Sequence, residues 1–380
     1  MGLAPESLPM GNLLMKWNRR QTFAALGATL AMPYVRPSWA QAATVNVYNW
    51  ADYIGETTLE DFERATGIGV VYDTYSSAEE EQAKMLAGST GYDVVDHAGL
   101  DMPRAIKAGI FQKLDRSKLP NWKNLDPAVL KILEGWDTGI QYGMPYFWGS
   151  VGFTFNLDMV KERLPDADLE NMDTIFKPEN AAKLADCGIS ILDSPTDIML
   201  MVLTYLGLDG NTTNPDDYKK VVEAFKPIRQ YIRTFDNTNY LNAIPNGEVC
   251  VVNNWSGDYG VAKARATDAG IDINLAYFVP KTGAPAWVDC MAIPADAANA
   301  DNAHAFLNFL MEPEVIAGCT NFVGYANANL PALEFVNAAI KSDPAVYPDD
   351  EIKSRLWAPK AFTDEQDRNI TRAWSDIKNS

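Results

Sequence analysis

The feature that most constrains the fold is a regular alternation of strand and helix patterns near the beginning of the chain. Period-two strand patterns, rich in Val, Tyr and Trp, alternate with stretches that carry apolar residues at helical spacing. Strand, helix, strand, helix and strand patterns follow one another over residues 44–50, 56–66, 68–75, 77–86 and 92–98. Successive β-α units this short predict a mostly parallel sheet covered by helices.

A second series of the same kind occupies the middle of the chain. Strand patterns occur at 152–156, 189–193, 248–253 and 274–278, and helical patterns at 196–206 and 216–235. We find no internal repeat, low-complexity segment or linker rich in Pro and Ser. If the chain forms two lobes, they are therefore joined by short crossings within the sheet, with candidate crossings at 144–149 and 265–271.

The first 42 residues have the pattern of an export signal. Arg19 and Arg20 precede a short apolar run at 23–32, and Ala40-Gln41-Ala42 forms a cleavage site before Ala43. Paired arginines before a weakly apolar segment favour a cleaved twin-arginine signal over 1–42, with an ordinary secretory signal as the alternative. We therefore expect a mature protein outside the cytoplasm. The start codon is open between Met1 and Met15.

Charge and composition exclude several classes of function. The chain carries 32 Lys and Arg against 50 Asp and Glu, a net charge of −18. Proteins that bind nucleic acid neutralise its phosphates with clustered Lys and Arg side chains, so we expect no nucleic-acid partner. With only His97 and His304, a zinc site or a Ser-His nucleophile lacks residues. No dinucleotide, phosphate or metalloprotease motif is found, so we expect no cofactor, no metal and no catalytic residue.

Tryptophan recurs close to aspartate where strands end or loops begin. Trp50 is followed by Asp52, Trp255 by Asp258, and Trp287 by Asp289. The i, i+2 spacing of the last pair puts ring and carboxylate on one face of an extended segment. Ligands of open α/β sheets bind outside the carboxyl ends of strands. Carboxylates bind ammonium groups and aromatic faces pack on methylenes, so this mixture suits a flexible organic polycation.

Five motifs together resemble the periplasmic spermidine/putrescine-binding proteins of ABC importers, most closely the putrescine-binding branch. They span almost the whole of the expected mature chain. The motifs are YNWADYI at 48–54, MLAGSTGYD at 85–93, NWSGD at 254–258, WVD at 287–289 and YANAN at 325–329. The resemblance implies a periplasmic protein, not an enzyme, that captures putrescine, spermidine or both and delivers the polyamine to membrane permease subunits. We expect it to be a monomer.

The resemblance also implies the fold. It is an α/β, two-lobe periplasmic-binding-protein fold of type II, with the ligand cleft between two discontinuous domains that close around the ligand. Lobe 1 is expected to comprise 43–146 with about 268–320, and lobe 2 to comprise 147–267 with about 321–380.

The family's ligand contacts can be carried over to ten positions. In this interpretation Asp258 and Asp289 hold ammonium groups at one end of the polyamine, and aromatic rings enclose its methylenes. Asp52 and Asp197 serve the other nitrogens, partly through water. The ten positions are Trp50, Asp52, Tyr53, Ser77, Asp197, Trp255, Asp258, Trp287, Asp289 and Tyr325.

The chain departs from the family at three of the positions compared. Ala51 replaces a hydroxyl residue, and Asp197 stands where a longer glutamate is usual. Trp287 occupies a position that is Phe in putrescine-preferring members and Trp in spermidine-preferring ones, so the preferred polyamine stays open.

The chain has four cysteines, which an oxidising compartment allows to pair in three ways. The resemblance implies a disulfide between Cys187 and Cys250. Cys290 and Cys319 have no counterpart in the family, and we expect them to be free and buried.

Two alternative functions stay open. One is a protein of the same fold that binds another ligand, such as another amine, an amino acid, a sugar or iron(III). The other is an exported hydrolase that uses paired carboxylates, for which no acid–base pair can be identified.

Overall fold

The computed structural model describes residues 43–380. The predicted twin-arginine signal at 1–42 lies outside the described residues. Within 43–380, no helix combines the length and the apolar character that a membrane crossing requires.

Within residues 43–380, eleven strands form one sheet. They are β1 (Thr44–Trp50), β2 (Gly69–Tyr75), β3 (Val94–Ala98), β4 (Gly143–Asn156), β5 (Ile189–Ile191), β6 (Ile232–Phe235), β7 (Val251–Trp255), β8 (Leu275–Phe278), β9 (Ala284–Ala292), β10 (Ala326–Asn327) and β11 (Leu356–Trp357).

Sixteen α-helices in the described part of the chain cover the sheet. They are α1 (Thr58–Thr66), α2 (Ala78–Ala87), α3 (Met102–Ala108), α4 (Pro127–Leu133), α5 (Leu157–Arg163), α6 (Asp173–Phe176), α7 (Pro178–Leu184), α8 (Pro195–Tyr205), α9 (Pro215–Phe225), α10 (Tyr240–Ala243), α11 (Ser256–Asp268), α12 (Ala300–Leu310), α13 (Pro313–Val323), α14 (Ala338–Lys341), α15 (Asp350–Arg355) and α16 (Asp364–Asn379).

The sheet is mixed rather than mostly parallel. β1 pairs in parallel with β2 and β3, and β5 pairs in parallel with β6 and β7, as the β-α pattern predicts. Two longer strands differ. β4 runs antiparallel to β7, β8, β9 and β10, and β9 runs antiparallel to β3. The prediction of a mostly parallel sheet is therefore wrong at its centre, where these two strands run against their neighbours.

The interior formed by the described residues consists of two hydrophobic cores. The first core contains residues from 45–148 and 288–346, and the second contains residues from 151–284, Ala345 and 370–377. β4 passes from the first core at Trp148 to the second at Val151, and β9 returns from Ala284 to Val288. The candidate crossing at 265–271 contains the end of helix α11, at Asp268.

These cores group the chain somewhat differently from the predicted lobes. Residues 325–346 include members of the first core, and 275–284 include members of the second. The lobe boundaries themselves stay a prediction.

One helix is shorter than its sequence pattern. The expected helix over 216–235 ends at Phe225, and the chain then forms β6 alongside β5. Pro227 accounts for the break, because proline lacks the N–H that would continue the helical hydrogen bonds.

The cysteines pair as the family resemblance implies. Cys187 and Cys250 form a disulfide with their Cα atoms 5.5 Å apart, closing a loop of 63 residues. It ties the turn before β5 to the residue that precedes β7. Cys290 and Cys319 are free and buried.

Candidate functional site

Asp289 is half-buried on the crossing strand β9 and is held by a tyrosine. The Tyr53 hydroxyl donates to Oδ2 of Asp289 at 2.8 Å. The loop carrying Tyr53 is itself fixed, because the Tyr146 hydroxyl donates to the Tyr53 carbonyl at 2.9 Å. Burial raises the pKa of Asp289 to about 7, against the opposing effect of the Tyr53 hydrogen bond. Asp289 is thus an oriented carboxylate that is costly to ionise.

Asp258 is a second buried carboxylate, in the first turn of α11. The hydroxyls of Tyr240 and Tyr325 both donate to it. Burial raises the pKa of Asp258 to about 6, although both hydrogen bonds lower it. Gly257 makes this packing possible, because a Cβ atom there would lie 2.3 Å from the Tyr325 ring.

Aromatic rings connect these two carboxylates. The Tyr53 and Tyr325 ring centroids lie 5.4 Å apart at an interplanar angle of 77°. The Trp287 ring lies 5.5 Å from that of Tyr325 at 64°, and its Nε1 donates to the Ser150 carbonyl at 3.3 Å. Edge-to-face contacts of this kind fix ring orientation. The rings form a rigid apolar wall between two acids.

Asp197 is the third carboxylate, in the first turn of α8. Trp255 Nε1 donates to its Oδ2 at 3.0 Å, and the Ser194 hydroxyl donates to the same atom at 2.7 Å. Burial raises the pKa of Asp197 to about 6. Trp255, expected only as a stacking ring, therefore also orients a carboxylate.

The remaining three predicted residues lie in or beside the first core. Half-buried Trp50 ends β1 with its ring 4.5 Å from that of Tyr75. Asp52 is exposed and adopts a φ of 57°. The Ser77 hydroxyl caps α2 by accepting from the Glu80 N–H at 3.2 Å. Asp52 and Ser77 form no hydrogen bond to another predicted site residue within 43–380.

Several residues beside the site escaped the sequence analysis. Tyr240, Ser194 and Tyr75 are ordinary core or cap residues in the sequence, and nothing marked them. Asp96 did carry a signal, because it is a carboxylate inside the apolar strand pattern of 92–98. It is 0% exposed.

The three carboxylates share one electrostatic property. Asp197, Asp258 and Asp289 form no ion pair with Lys or Arg in the described part of the chain. Nor do residues 43–380 contain a group of three or more His, Cys, Asp or Glu that could hold a metal ion. Buried carboxylates are normally paired. The arrangement can therefore accept cationic groups from a ligand, with aromatic surface available for the ligand's apolar parts.

Comparisons with known proteins agree with this chemistry. The family model described as bacterial extracellular solute-binding protein matches residues 57–348. The putrescine-binding periplasmic protein SpuD of Pseudomonas aeruginosa is 45% identical over 343 residues, 89% of this chain and 94% of that protein. The spermidine/putrescine-binding periplasmic protein of Escherichia coli is 32% identical over 346 residues, 90% of this chain and 94% of that protein.

A solved structure gives the same result for the fold. The spermidine/putrescine ABC transporter substrate-binding protein PotD of Streptococcus pneumoniae superposes with a TM-score of 0.76 at 28% sequence identity. The match covers 89% of this chain and 99% of that chain. The α/β architecture expected from the sequence is thereby confirmed as a solute-binding fold. The chain belongs to the family of bacterial extracellular solute-binding proteins.

Proposed function

We propose that this protein captures a polyamine, putrescine or spermidine or both, in the periplasm and delivers it to the permease subunits of an ABC importer. The observation that carries the proposal is the set of three carboxylates, Asp197, Asp258 and Asp289, that lack a cationic partner among residues 43–380 and are each hydrogen-bonded by an aromatic side chain. The protein acts as a binding protein and not as an enzyme, in keeping with relatives that are named as binding proteins.

The ligand's ammonium groups supply the cations that the site lacks. Asp258 and Asp289 receive ammonium groups, and their tyrosine partners hold the acceptor oxygens in place. Asp197 and exposed Asp52 serve further nitrogens through water. The rings and the capping serine complete a ten-residue site. Its remaining members are Trp50, Tyr53, Ser77, Trp255, Trp287 and Tyr325.

These contacts supply enough free energy for a transport receptor. A hydrogen bond to a charged group contributes roughly 1.5–3 kcal/mol, and a cation–π contact roughly 0.5–2 kcal/mol. After the cost of association, about −8 to −10 kcal/mol remains, which corresponds to a Kd of about 1 µM or tighter.

Delivery requires that the permease distinguish the loaded protein from the empty one. β4 and β9 join the two cores, so lobes built around these cores can close by bending at the two strands. Closure presents a ligand-dependent surface to the permease. The protein acts as a monomer without nucleic acid, as its acid excess supports. Size-exclusion chromatography with light scattering tests whether the protein is monomeric.

A thermal-shift panel tests the proposed ligand class. It compares putrescine, cadaverine, spermidine, spermine and agmatine with an amino-acid mixture, maltose and iron(III) citrate at about 150 mM salt. A ligand at about 1,000 times its Kd adds roughly 4 kcal/mol to the free energy of unfolding, so one or two polyamines should raise Tm by several degrees. A shift with maltose or iron(III), or no shift with any amine, contradicts the proposal.

A further inference from the structure

Asp96 and Asp289 are neighbours on one face of the sheet. In the antiparallel pairing of β3 with β9, Asp96 lies opposite Met291 and Ala98 lies opposite Asp289. Directly opposed residues share a face, so the two aspartates are diagonal neighbours, with Asp96 two residues deeper into the first core. Asp96 is 0% exposed, and its Oδ2 has no hydrogen-bond partner among the described residues.

The groups around Asp96 leave its charge uncompensated. From β2, the Tyr75 hydroxyl donates to the Asp96 carbonyl at 2.9 Å, and from α2 the Glu81 carboxylate adds a second negative charge. The one basic side chain nearby, His97, points to the other face, where its Nδ1 lies 3.0 Å from Oε2 of Glu81. Cys290 follows Asp289 on β9 and is also buried.

Tyrosines complete the surroundings of Asp96. Tyr53, Tyr72 and Tyr146 face it from the loop after β1, from β2 and from β4, and the pKa of each is raised, chiefly by burial. All three are neutral at physiological pH. No Lys or Arg within 43–380 is paired with Asp96.

A buried acid in such surroundings keeps its proton. Burial raises the pKa of Asp96 well above its ordinary value, and the negative charge of Asp289 raises it further. The Tyr75 hydroxyl, 3.5 Å from Oδ1 of Asp96, opposes this only in part. In the empty site, Asp96 is buried beside a second carboxylate with no cation to pair with it, and it therefore favours its neutral form.

We propose that Asp96 is a positioning residue whose proton leaves when the cationic end of the ligand reaches Asp289. The inference rests on the proposed function, since it requires a cationic ligand at Asp289. An ammonium group at Asp289 cancels the negative charge that opposes ionisation of Asp96. Only the carboxyl O–H bond of Asp96 breaks, its electron pair stays on the carboxylate, and the proton passes to solvent. The additional negative charge then strengthens the hold on the cation.

This coupling favours charged ligands over neutral ones of the same shape. A neutral diol cannot cancel the charge of Asp289 and so leaves the proton on Asp96. Affinity for the cation should rise with pH even above pH 7.5, where Asp197 and Asp258, with pKa values near 6, are already ionised and most of Asp289, with a pKa of about 7, is ionised as well.

Isothermal titration calorimetry of putrescine and spermidine at pH 8 tests the inference. Titrations in two buffers with very different protonation enthalpies give the number of protons released per ligand bound. We expect the wild-type protein to release about half to one proton and the Asp96→Asn variant to release almost none. Asp268→Asn, which removes an exposed carboxylate at the end of α11, should behave as wild type. Between pH 7.5 and 8.5, the wild-type Kd should tighten several-fold while that of Asp96→Asn stays nearly constant.

The outcomes separate this inference from the proposed function. Absence of any binding of either polyamine to the wild-type protein refutes both. Binding with equal proton release in wild type and Asp96→Asn, including none in either, overturns the inference alone and makes Asp96 a purely structural acid. If Asp96→Asn does not fold, infrared difference spectra of the wild-type protein show whether a carboxyl group loses its proton when the ligand binds. Addition of ligand at pH 8 should remove the carbonyl band of a protonated carboxyl group, and an unchanged band overturns the inference.

Discussion

The Tyr53 hydroxyl donates a 2.8 Å hydrogen bond to Oδ2 of Asp289, across a sequence separation of 236 residues. The bond joins the loop after the first strand to a strand that passes between the two cores. The Tyr53 ring also packs edge-on against Tyr325, whose hydroxyl donates to Asp258. Two carboxylates from distant parts of the chain are thus held by two tyrosines in contact.

Removal of the Asp289 charge should abolish high-affinity binding. In Asp289→Asn the amide oxygen can still accept from Tyr53, so the local fold is kept while the ammonium group loses its counter-charge. Loss of one partner of a buried charge pair costs about 2–5 kcal/mol, which weakens Kd by roughly 30-fold to several thousand-fold. Calorimetry with putrescine measures the change, and Asp268→Asn should bind as wild type. Unchanged affinity in Asp289→Asn would place the ammonium group elsewhere.

Tyr53→Phe should weaken binding more at low pH than at high pH. The Tyr53 hydrogen bond lowers the pKa of Asp289, which burial sets at about 7. Without it that pKa rises, so a smaller fraction of Asp289 is ionised at pH 6.5, whereas at pH 8 most of it still is. We expect affinity losses of about tenfold at pH 6.5 and a smaller loss at pH 8. Equal losses at both values would mean that the hydroxyl acts only through packing.

Tyr240→Phe tests a residue that the sequence did not mark. Its hydroxyl donates to Asp258, and burial raises the pKa of that carboxyl to about 6. The variant should bind several-fold more weakly near pH 6 and recover towards pH 8. Tyr231→Phe, outside the site, provides the matched control. A loss of affinity that is independent of pH, or that Tyr231→Phe shares, would mean that Tyr240 does not act through Asp258.

The stability of the empty protein should rise as pH falls from about 7 towards 5. Burial raises the pKa of Asp197, Asp258 and Asp289 to about 6, 6 and 7, so in the folded state their ionised forms are disfavoured. Unfolded carboxyls titrate near 4. Above pH 7 all three carboxyls are ionised in the folded state, so the full free-energy cost of their burial lowers stability. This cost is relieved as the folded groups take up protons. Urea unfolding at several pH values should show this trend, reduced in Asp289→Asn. The ligand-induced increase in Tm should have the opposite trend and be largest near pH 8.

The disulfide should contribute to stability and leave binding intact. A bond that closes a loop of 63 residues stabilises by about 4 kcal/mol in the chain-entropy model. The double variant Cys187→Ser, Cys250→Ser should lose a similar amount in urea unfolding, with putrescine affinity within about twofold of wild type because neither cysteine contacts the carboxylates. A large loss of affinity would contradict the prediction that the disulfide does not affect the binding site.

Local pattern predicted the elements and several site positions well. The first strand was expected at 44–50 and is observed as Thr44–Trp50. The spacing of Trp287 and Asp289 predicted an extended segment, and both lie on β9. The helical pattern over 77–86 is observed as α2, which begins at Ala78 after the capping hydroxyl of Ser77. These features depend on neighbours within a few residues, which a single sequence contains.

What the sequence analysis missed depends on contacts between distant segments. Tyr240 becomes a partner of Asp258 only because α10 and α11 meet in the fold. Asp96 becomes the neighbour of Asp289 through a pairing of strands almost 200 residues apart. The antiparallel direction of β4 and β9 likewise follows from how the chain passes between two cores. Periodicity carries no information on any of these.

Calorimetric titration of the purified protein with putrescine and spermidine, beside butylamine and 1,4-butanediol, shows whether the site selects its ligand by charge. We expect one site with a Kd of about 1 µM or tighter for at least one polyamine, much weaker binding of the singly charged amine and none of the neutral diol. It also predicts that Asp289→Asn loses the polyamine. Comparable binding of diol and diamine, or no binding of either polyamine, would contradict the claim that unpaired carboxylates select a polycation.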